Sequence, residues 1–193
     1  KDPSEQAGAR VESPPRWSNQ AFWWFIVAHF FVSMSDPGVH GFFNTYAREL
    51  GASMEWVGIL SGMTGVIALL TLGYMGRLAD RIGAARILVL GFSAQGLRML
   101  TTSFITDADW LWVAHLFHGF GWAGKEVGTL LLLSTLLGKK RLGMAGSLLI
   151  SVRMAGMMAG SLVMGWLAES QGYPFMFQVI AGCVGLGMVA LFM

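Results

Sequence analysis

Six long apolar runs, each closed by a short polar or glycine-bearing turn, constrain this 193-residue chain more than any other feature. They cover about residues 21–46, 54–76, 86–105, 110–136, 142–167 and 174–193. A helix needs roughly 20 mostly apolar residues to cross the hydrocarbon core of a bilayer, and each run supplies that length. The turns between them are Arg48-Glu49-Leu50-Gly51, Asp80-Arg81-Ile82-Gly83, Thr106-Asp107-Ala108-Asp109, Gly138-Lys139-Lys140-Arg141 and Glu169-Ser170-Gln171-Gly172. Connections this short make consecutive helices antiparallel neighbours. No water satisfies backbone groups inside a bilayer, so each run is expected to be helical. Charged residues are 12% of the chain, against about 25% in a soluble domain. The expected fold class is an all-α polytopic membrane protein with six transmembrane helices in one bundle, residues 21–193.

Residues 1–20 are polar, contain Pro14-Pro15 and do not resemble a signal peptide. They read as a cytoplasmic tail or central linker, and the chain, which starts at Lys1, reads as a piece of a longer protein. Lys and Arg set the orientation of membrane helices. The tail holds Lys1, Arg10 and Arg16, the second connection Arg77, Arg81 and Arg86, and the fourth Lys139, Lys140 and Arg141, while the odd connections hold only Arg48. The tail and the even connections are therefore expected on the cytoplasmic side. Trp17, Trp23 and Trp24 at one interface and Trp56, Trp110 and Trp112 at the other fit an aromatic belt. A net charge of +2 offers no basic surface for nucleic acid.

Polar residues recur inside two runs. In the first, His29, Ser33, Asp36, His40 and Asn44 fall within an arc of about 80° at helical spacing. Asp36-Pro37-Gly38 should loosen the helix there. In the fourth, His115, His118, Trp122, Glu126 and Thr129 share a similar arc, with Lys125 on its border. A rise of about 1.5 Å per residue puts Asp36 and Glu126 roughly 20 Å deep, near one level. Ionisable groups at that depth are costly and mark function by default. Two readings stay open: Asp36 or Glu126 exchanges a proton, with the four histidines as partners, or Lys125, Arg98 or Arg153 neutralises the carboxylates. Anion capture by those three cations is a further possibility that spacing alone does not favour. His115 and His118 lack a third ligand at helical spacing, so no metal or cofactor site is expected. Gly58-x-x-x-Gly62, Gly156-x-x-x-Gly160 and Ser161-x-x-x-Gly165 mark expected close helix contacts.

The second connection, Gly76-Arg77-Leu78-Ala79-Asp80-Arg81-Ile82-Gly83, closely resembles the signature loop of the major facilitator superfamily, departing from it at Ala84 and Ala85. In this reading its glycines allow a tight turn, Asp80 sits against a helix N-terminus or a basic residue, and Arg81 holds the loop on the cytoplasmic side. Glu49-Leu50-Gly51-Ala52-Ser53 looks like the family's extracellular turn. His115-Leu116-Phe117-His118-Gly119-Phe120-Gly121 stands where the family often has R-x-x-Q-G-x-G, and the glycine-rich fifth run lacks the family's Gly-Pro.

The resemblance implies a twelve-helix transporter built from two six-helix halves, of which this chain would be one. The polar leader and Gln95-Gly96-Leu97-Arg98, which looks like the C-terminal halves of the sugar–proton symporter branch, favour the C-terminal half; the N-terminal half is the alternative. The first and fourth helices of each half line the central cavity in the resembling family. That would put His29, Asp36, His40, Asn44, His115, His118, Trp122, Lys125 and Glu126, with Arg98 and Arg153, on the path of substrate and proton. The function implied is secondary active transport of a small solute by alternating access, with proton coupling one of the open forms and symport, antiport and uniport all open. The implied location is a bacterial inner membrane, and the implied partners are lipids, a small-molecule substrate and the missing six-helix half. Intramembrane enzyme motifs are absent: Gly58-Ile59-Leu60-Ser61-Gly62 has the wrong spacing for a nucleophile elbow, and no His-Glu-x-x-His occurs. A six-span protein with a structural or signalling role is the remaining alternative.

Overall fold

The computed structural model describes residues 20–137 and 142–193. The expected tail with Lys1, Arg10, Arg16 and Trp17, and the connection Lys139-Lys140-Arg141, lie outside the described residues. The chain forms α1 (Gln20–Ser33), a π-helical turn (Gly38–Phe42), α2 (Phe43–Glu49), α3 (Met54–Ile82), α4 (Ala84–Phe104), a 3-10 turn (Ala108–Trp110), α5 (Leu111–Leu137), α6 (Leu142–Gln171) and α7 (Tyr173–Leu191). Among the described residues there is no strand. Among the described residues three helices, α3, α6 and α7, are long and apolar enough to cross a membrane. The others depart from that standard for visible reasons. α1 stops after 14 residues, and α4 and α5 carry Gln95, Arg98, His115, His118, Lys125 and Glu126 in their middles.

The turns are made by the residues that suit them. Ser53 caps α3 by accepting the Trp56 N–H at 3.0 Å, and Asp107 accepts the Asp109 N–H at 2.9 Å before α5. Gly83 and Gly172 are one-residue connections with φ of +91° and +85°, a region that side chains other than glycine rarely enter. One end of the bundle is tied across helices. The Tyr46 hydroxyl donates to the Ile105 carbonyl at 2.5 Å, the Trp56 indole donates to the Ala108 carbonyl at 3.0 Å, and the Tyr46 and Tyr173 rings lie 5.6 Å apart.

Backbone-close packing holds the helices together where the hydrophobic effect cannot, since lipid is as apolar as leucine. α4 packs along α5 through glycine: a Cβ on Gly128 would lie 2.6 Å from the Leu88 nitrogen, and one on Gly91 2.3 Å from the Lys125 nitrogen. α6 packs on α1 the same way, since a Cβ on Gly156 would meet the Phe30 carbonyl oxygen at 2.5 Å and one on Gly160 the Met34 oxygen at 2.3 Å. The contact expected at Gly58 and Gly62 does not form among the described residues: none of them lies within 4 Å of a Cβ at either position. α3 turns that face outward together with Met54, Ile59, Val66 and Leu69.

The interior divides into apolar ends and a polar middle. One apolar cluster gathers Phe43, Tyr46, Leu60, Met99, Leu111 and Phe177, and a second gathers Phe22, Phe25, Val32, Phe92, Leu133 and Val184. Along α1 and α2, Asp36 falls between Val32 of one cluster and Val39 of the other. Along α4, Gln95 falls between Phe92 and Met99; along α5, Lys125 falls between Ala114 and Leu133. Asp36, Gln95, Arg98 and Lys125 thus form a buried polar layer between the two clusters, while His29 lies within the second cluster, between Phe25 and Val32, and Thr102 and Ser103 lie beside the first, between Met99 and Ile105.

Candidate functional site

The polar layer starts from a break in the first helical run. Pro37 has no N–H to give the Ser33 carbonyl, so the α-helical ladder cannot pass through it. The chain turns at Met34 and Ser35 and resumes as the π-helical turn from Gly38, a feature frequent at functional positions. The Ser35 hydroxyl donates to the Val32 carbonyl at 2.6 Å and accepts from Gln95 Nε2 at 3.1 Å, which ties the break to α4. Asp36 emerges from this break, 7% exposed, and its Oδ1 accepts from Lys125 Nζ of α5 at 3.2 Å.

A second ion pair joins α5 to α6: Arg153 donates to Glu126 Oε1 at 3.1 Å. The two pairs differ in exposure. The Lys125 and Asp36 side chains are 8% and 10% exposed, those of Arg153 and Glu126 25% and 28%. Lys125, expected on the border of the α5 stripe, is buried, because its long stem carries the ammonium to Asp36 at the break that follows α1. His29 is not a partner of either carboxylate. Its Nδ1–H donates to the Phe25 carbonyl at 2.9 Å, which leaves Nε2 to accept the Thr129 hydroxyl, also at 2.9 Å.

The other three histidines gather around Arg98 instead. Arg98 is 1% exposed, and it donates to His118 Nδ1 at 2.8 Å and to the Val39 carbonyl at 3.2 Å. Its guanidinium lies 5.0 Å over the Phe43 ring. An arginine only donates, so His118 Nδ1 must be the acceptor and its proton sits on Nε2. The His118 ring stands 5.8 Å from that of His40 and 6.1 Å from that of His115. These residues, with Asn44, Ser61 and Thr64, line a cavity of about 120 Å³. Ser61 and Thr64 are not among the expected site residues because the middle of α3 carries no ionisable residue; only the fold carries its hydroxyls opposite Arg98. Trp122 is 40% exposed and stays on the helical face shared with His118, Glu126 and Thr129.

The resembling loop is mostly helix. Gly76 to Ile82 form the last turns of α3, and only Gly83 makes the connection to α4. Gly76 is helical with open space where a Cβ would be, so it does not serve the tight turn expected of it. Asp80 and Arg81 are exposed, and Asp80 is in neither of the two ion pairs among the described residues. No group of three or more metal-ligating side chains occurs among the described residues.

The Major Facilitator Superfamily model matches residues 25–193. The chain belongs to this superfamily. Relatives include the uncharacterized MFS-type transporter YuxJ of Bacillus subtilis, 26% identical over 79% of this chain, and the multidrug resistance protein MdtG of Citrobacter koseri, 28% identical over 82%. MdtG of Salmonella arizonae is 27% identical over the same share. The chain spans about 40% of the length of each of these relatives. Membership of the major facilitator superfamily, with three helices long and apolar enough to cross a bilayer, makes this an integral membrane protein.

Proposed function

We propose that this chain is one six-helix half, the C-terminal one, of a secondary active transporter that moves a small solute by alternating access and couples the movement to protons. The first span is α1, the π-helical turn and α2 taken together; α3 to α7 supply the other five. The proposed setting is a bacterial inner membrane, with the tail, the Gly83 turn and the 138–141 connection on the cytoplasmic side. The open faces of α3 and α6, which carry Val66, Leu69, Met158 and Leu162 outward, support a reading in which lipid and a second six-helix half cover them. The smooth Gly58 and Gly62 surface is where the halves slide.

One observation carries the coupling: a buried cation–carboxylate bond, Lys125 to Asp36, links the first and fourth spans within the polar layer. Breaking one side of such a pair is costly, whereas neutralising both sides is not. A proton delivered to Asp36 removes the attraction that holds α1 to α5 at the break, and its release restores it. The π-helical turn is the element placed to yield. Glu126 with Arg153 is the more exposed pair and acts as structure between α5 and α6.

The test is solute flux in proteoliposomes holding the full-length protein. A pH gradient should drive accumulation of a transported solute in the parent protein. Asp36→Asn should lose accumulation while keeping exchange of solute down its own gradient. Folded protein that moves nothing from a broad solute panel overturns the transporter reading in favour of a structural or signalling role.

A further inference from the structure

The Arg98 cavity carries an inference of its own, which rests on the transport reading only for the direction of flow. Among the described residues the two ion pairs use Lys125 with Asp36 and Arg153 with Glu126, so the guanidinium of Arg98 has no carboxylate partner. Its bonds are to a neutral imidazole and a carbonyl, and its Nε is buried with no hydrogen-bond partner. A buried charge compensated only by dipoles is costly unless something else supplies the counter-charge. The cavity beside it is lined by two neutral donors, the His118 Nε2–H assigned above and the Asn44 amide, and by the hydroxyls of Ser61 and Thr64, which in this structure donate to the Val57 and Leu60 carbonyls of their own helix. No acidic side chain lines it. Its volume of about 120 Å³ fits a head group rather than a whole drug-sized molecule.

We propose that this cavity binds the oxyanion head group of a small organic acid, with Arg98 as counter-charge, His118 and Asn44 as donors, and the Ser61 and Thr64 hydroxyls turning from their own-helix carbonyls to donate when the anion is bound. The substrate class is therefore an anion, carboxylate or phosphonate, whose remainder projects into the space between the halves. Lys125 does not compete for it, since Asp36 already neutralises that cation.

The test separates binding from flux in the purified full-length protein. Benzoate and methylphosphonate serve as anionic probes, and tetraphenylphosphonium as the cationic control. Equilibrium binding by calorimetry should detect one of the two anions, which also decides between carboxylate and phosphonate. Arg98→Gln should weaken that binding by at least about tenfold, the usual worth of a charge-assisted hydrogen bond, and Arg98→Lys should weaken it less. Arg98→Gln risks misfolding, so Ser61→Ala and Thr64→Val provide a second arm. Their hydroxyls bond to carbonyls of their own helix, Val57 and Leu60, and removing them leaves the packing intact. Each should weaken anion binding about threefold or more. Binding of tetraphenylphosphonium alone, or anion binding unchanged in Arg98→Gln and Thr64→Val, overturns the proposal. The first result, accompanied by flux of the cation, leaves the transporter reading standing. Anion binding without flux of any solute supports the site and removes the transporter.

Discussion

The glycine contact between α1 and α6 yields a prediction whose size follows from the geometry. A Cβ at Gly160 would lie 2.3 Å from the Met34 carbonyl oxygen, 2.8 Å from its Cα and 2.9 Å from its carbonyl carbon. All three atoms are backbone, so no side chain can rotate away, and the helices must separate by about 1 Å at the crossing to reach van der Waals distance. Overpacking of this kind costs about 1–3 kcal/mol, and the separation also loosens the neighbouring Gly156 contact, which places Gly160→Ala near the upper end. The better helix propensity of alanine returns up to about 1 kcal/mol, for a net loss of about 1–2 kcal/mol. Gly182 of α7 is the control: it is exposed, with nothing within 4 Å of its Cβ position. Gly182→Ala keeps the propensity gain and meets no clash, so it should be neutral or stabilising by up to about 1 kcal/mol. Unfolding of the full-length protein in mixed detergent micelles measures both. Equal destabilisation by the two substitutions would refute the packing of α6 on α1 described above.

Three further outcomes follow. Lys125→Met should destabilise the full-length protein by about 3–5 kcal/mol, and adding Asp36→Leu to it should recover most of that loss, because the unpaired charge and not the missing bond dominates; the same unfolding assay reads it. Glu126→Gln should cost no more than about 1 kcal/mol, since its pair with Arg153 is partly solvated, and a loss as large as that of Lys125→Met would contradict the contrast between the two pairs. Gly83→Ala should cost about 1–3 kcal/mol, from forcing a side chain into φ near +91° at the α3–α4 turn, whereas Gly76→Ala, helical and open, should be tolerated. Thermal unfolding of the two single variants distinguishes them.

The sequence reading and the structure part company in ways that have physical causes. Apolar runs and glycine or charged turns locate the helices, because those signals are local. The loosening at Asp36-Pro37-Gly38 is also local, since a missing N–H acts on its own helix. The depth of Asp36 and Glu126 follows from rise per residue, but partner choice does not. Arg98 turned from the carboxylates to His118 and Phe43 because α4 leans on α5 through Gly91, Gly121 and Gly124, a crossing that a single helix does not encode. Lys125 looked marginal on a helical projection that ignores the reach of its four-carbon stem. The signature stretch reads as a loop by its charges, yet charged residues extend a helix readily once it leaves the hydrocarbon, and only Gly83 breaks it. Gly58 and Gly62 have the pattern of a contact without a partner among the described residues. Ser61 and Thr64 give no sign of a binding role in sequence, because each is an ordinary helix hydroxyl until tertiary packing sets it across from Arg98.

Proton movement tests the proposed role of Asp36 as proton carrier most directly. Full-length protein in liposomes loaded with a pH-sensitive dye should move protons with its solute. Asp36→Asn should abolish that proton movement while solute exchange continues, and Glu126→Gln should leave the two coupled. Proton movement undiminished in Asp36→Asn would contradict the account.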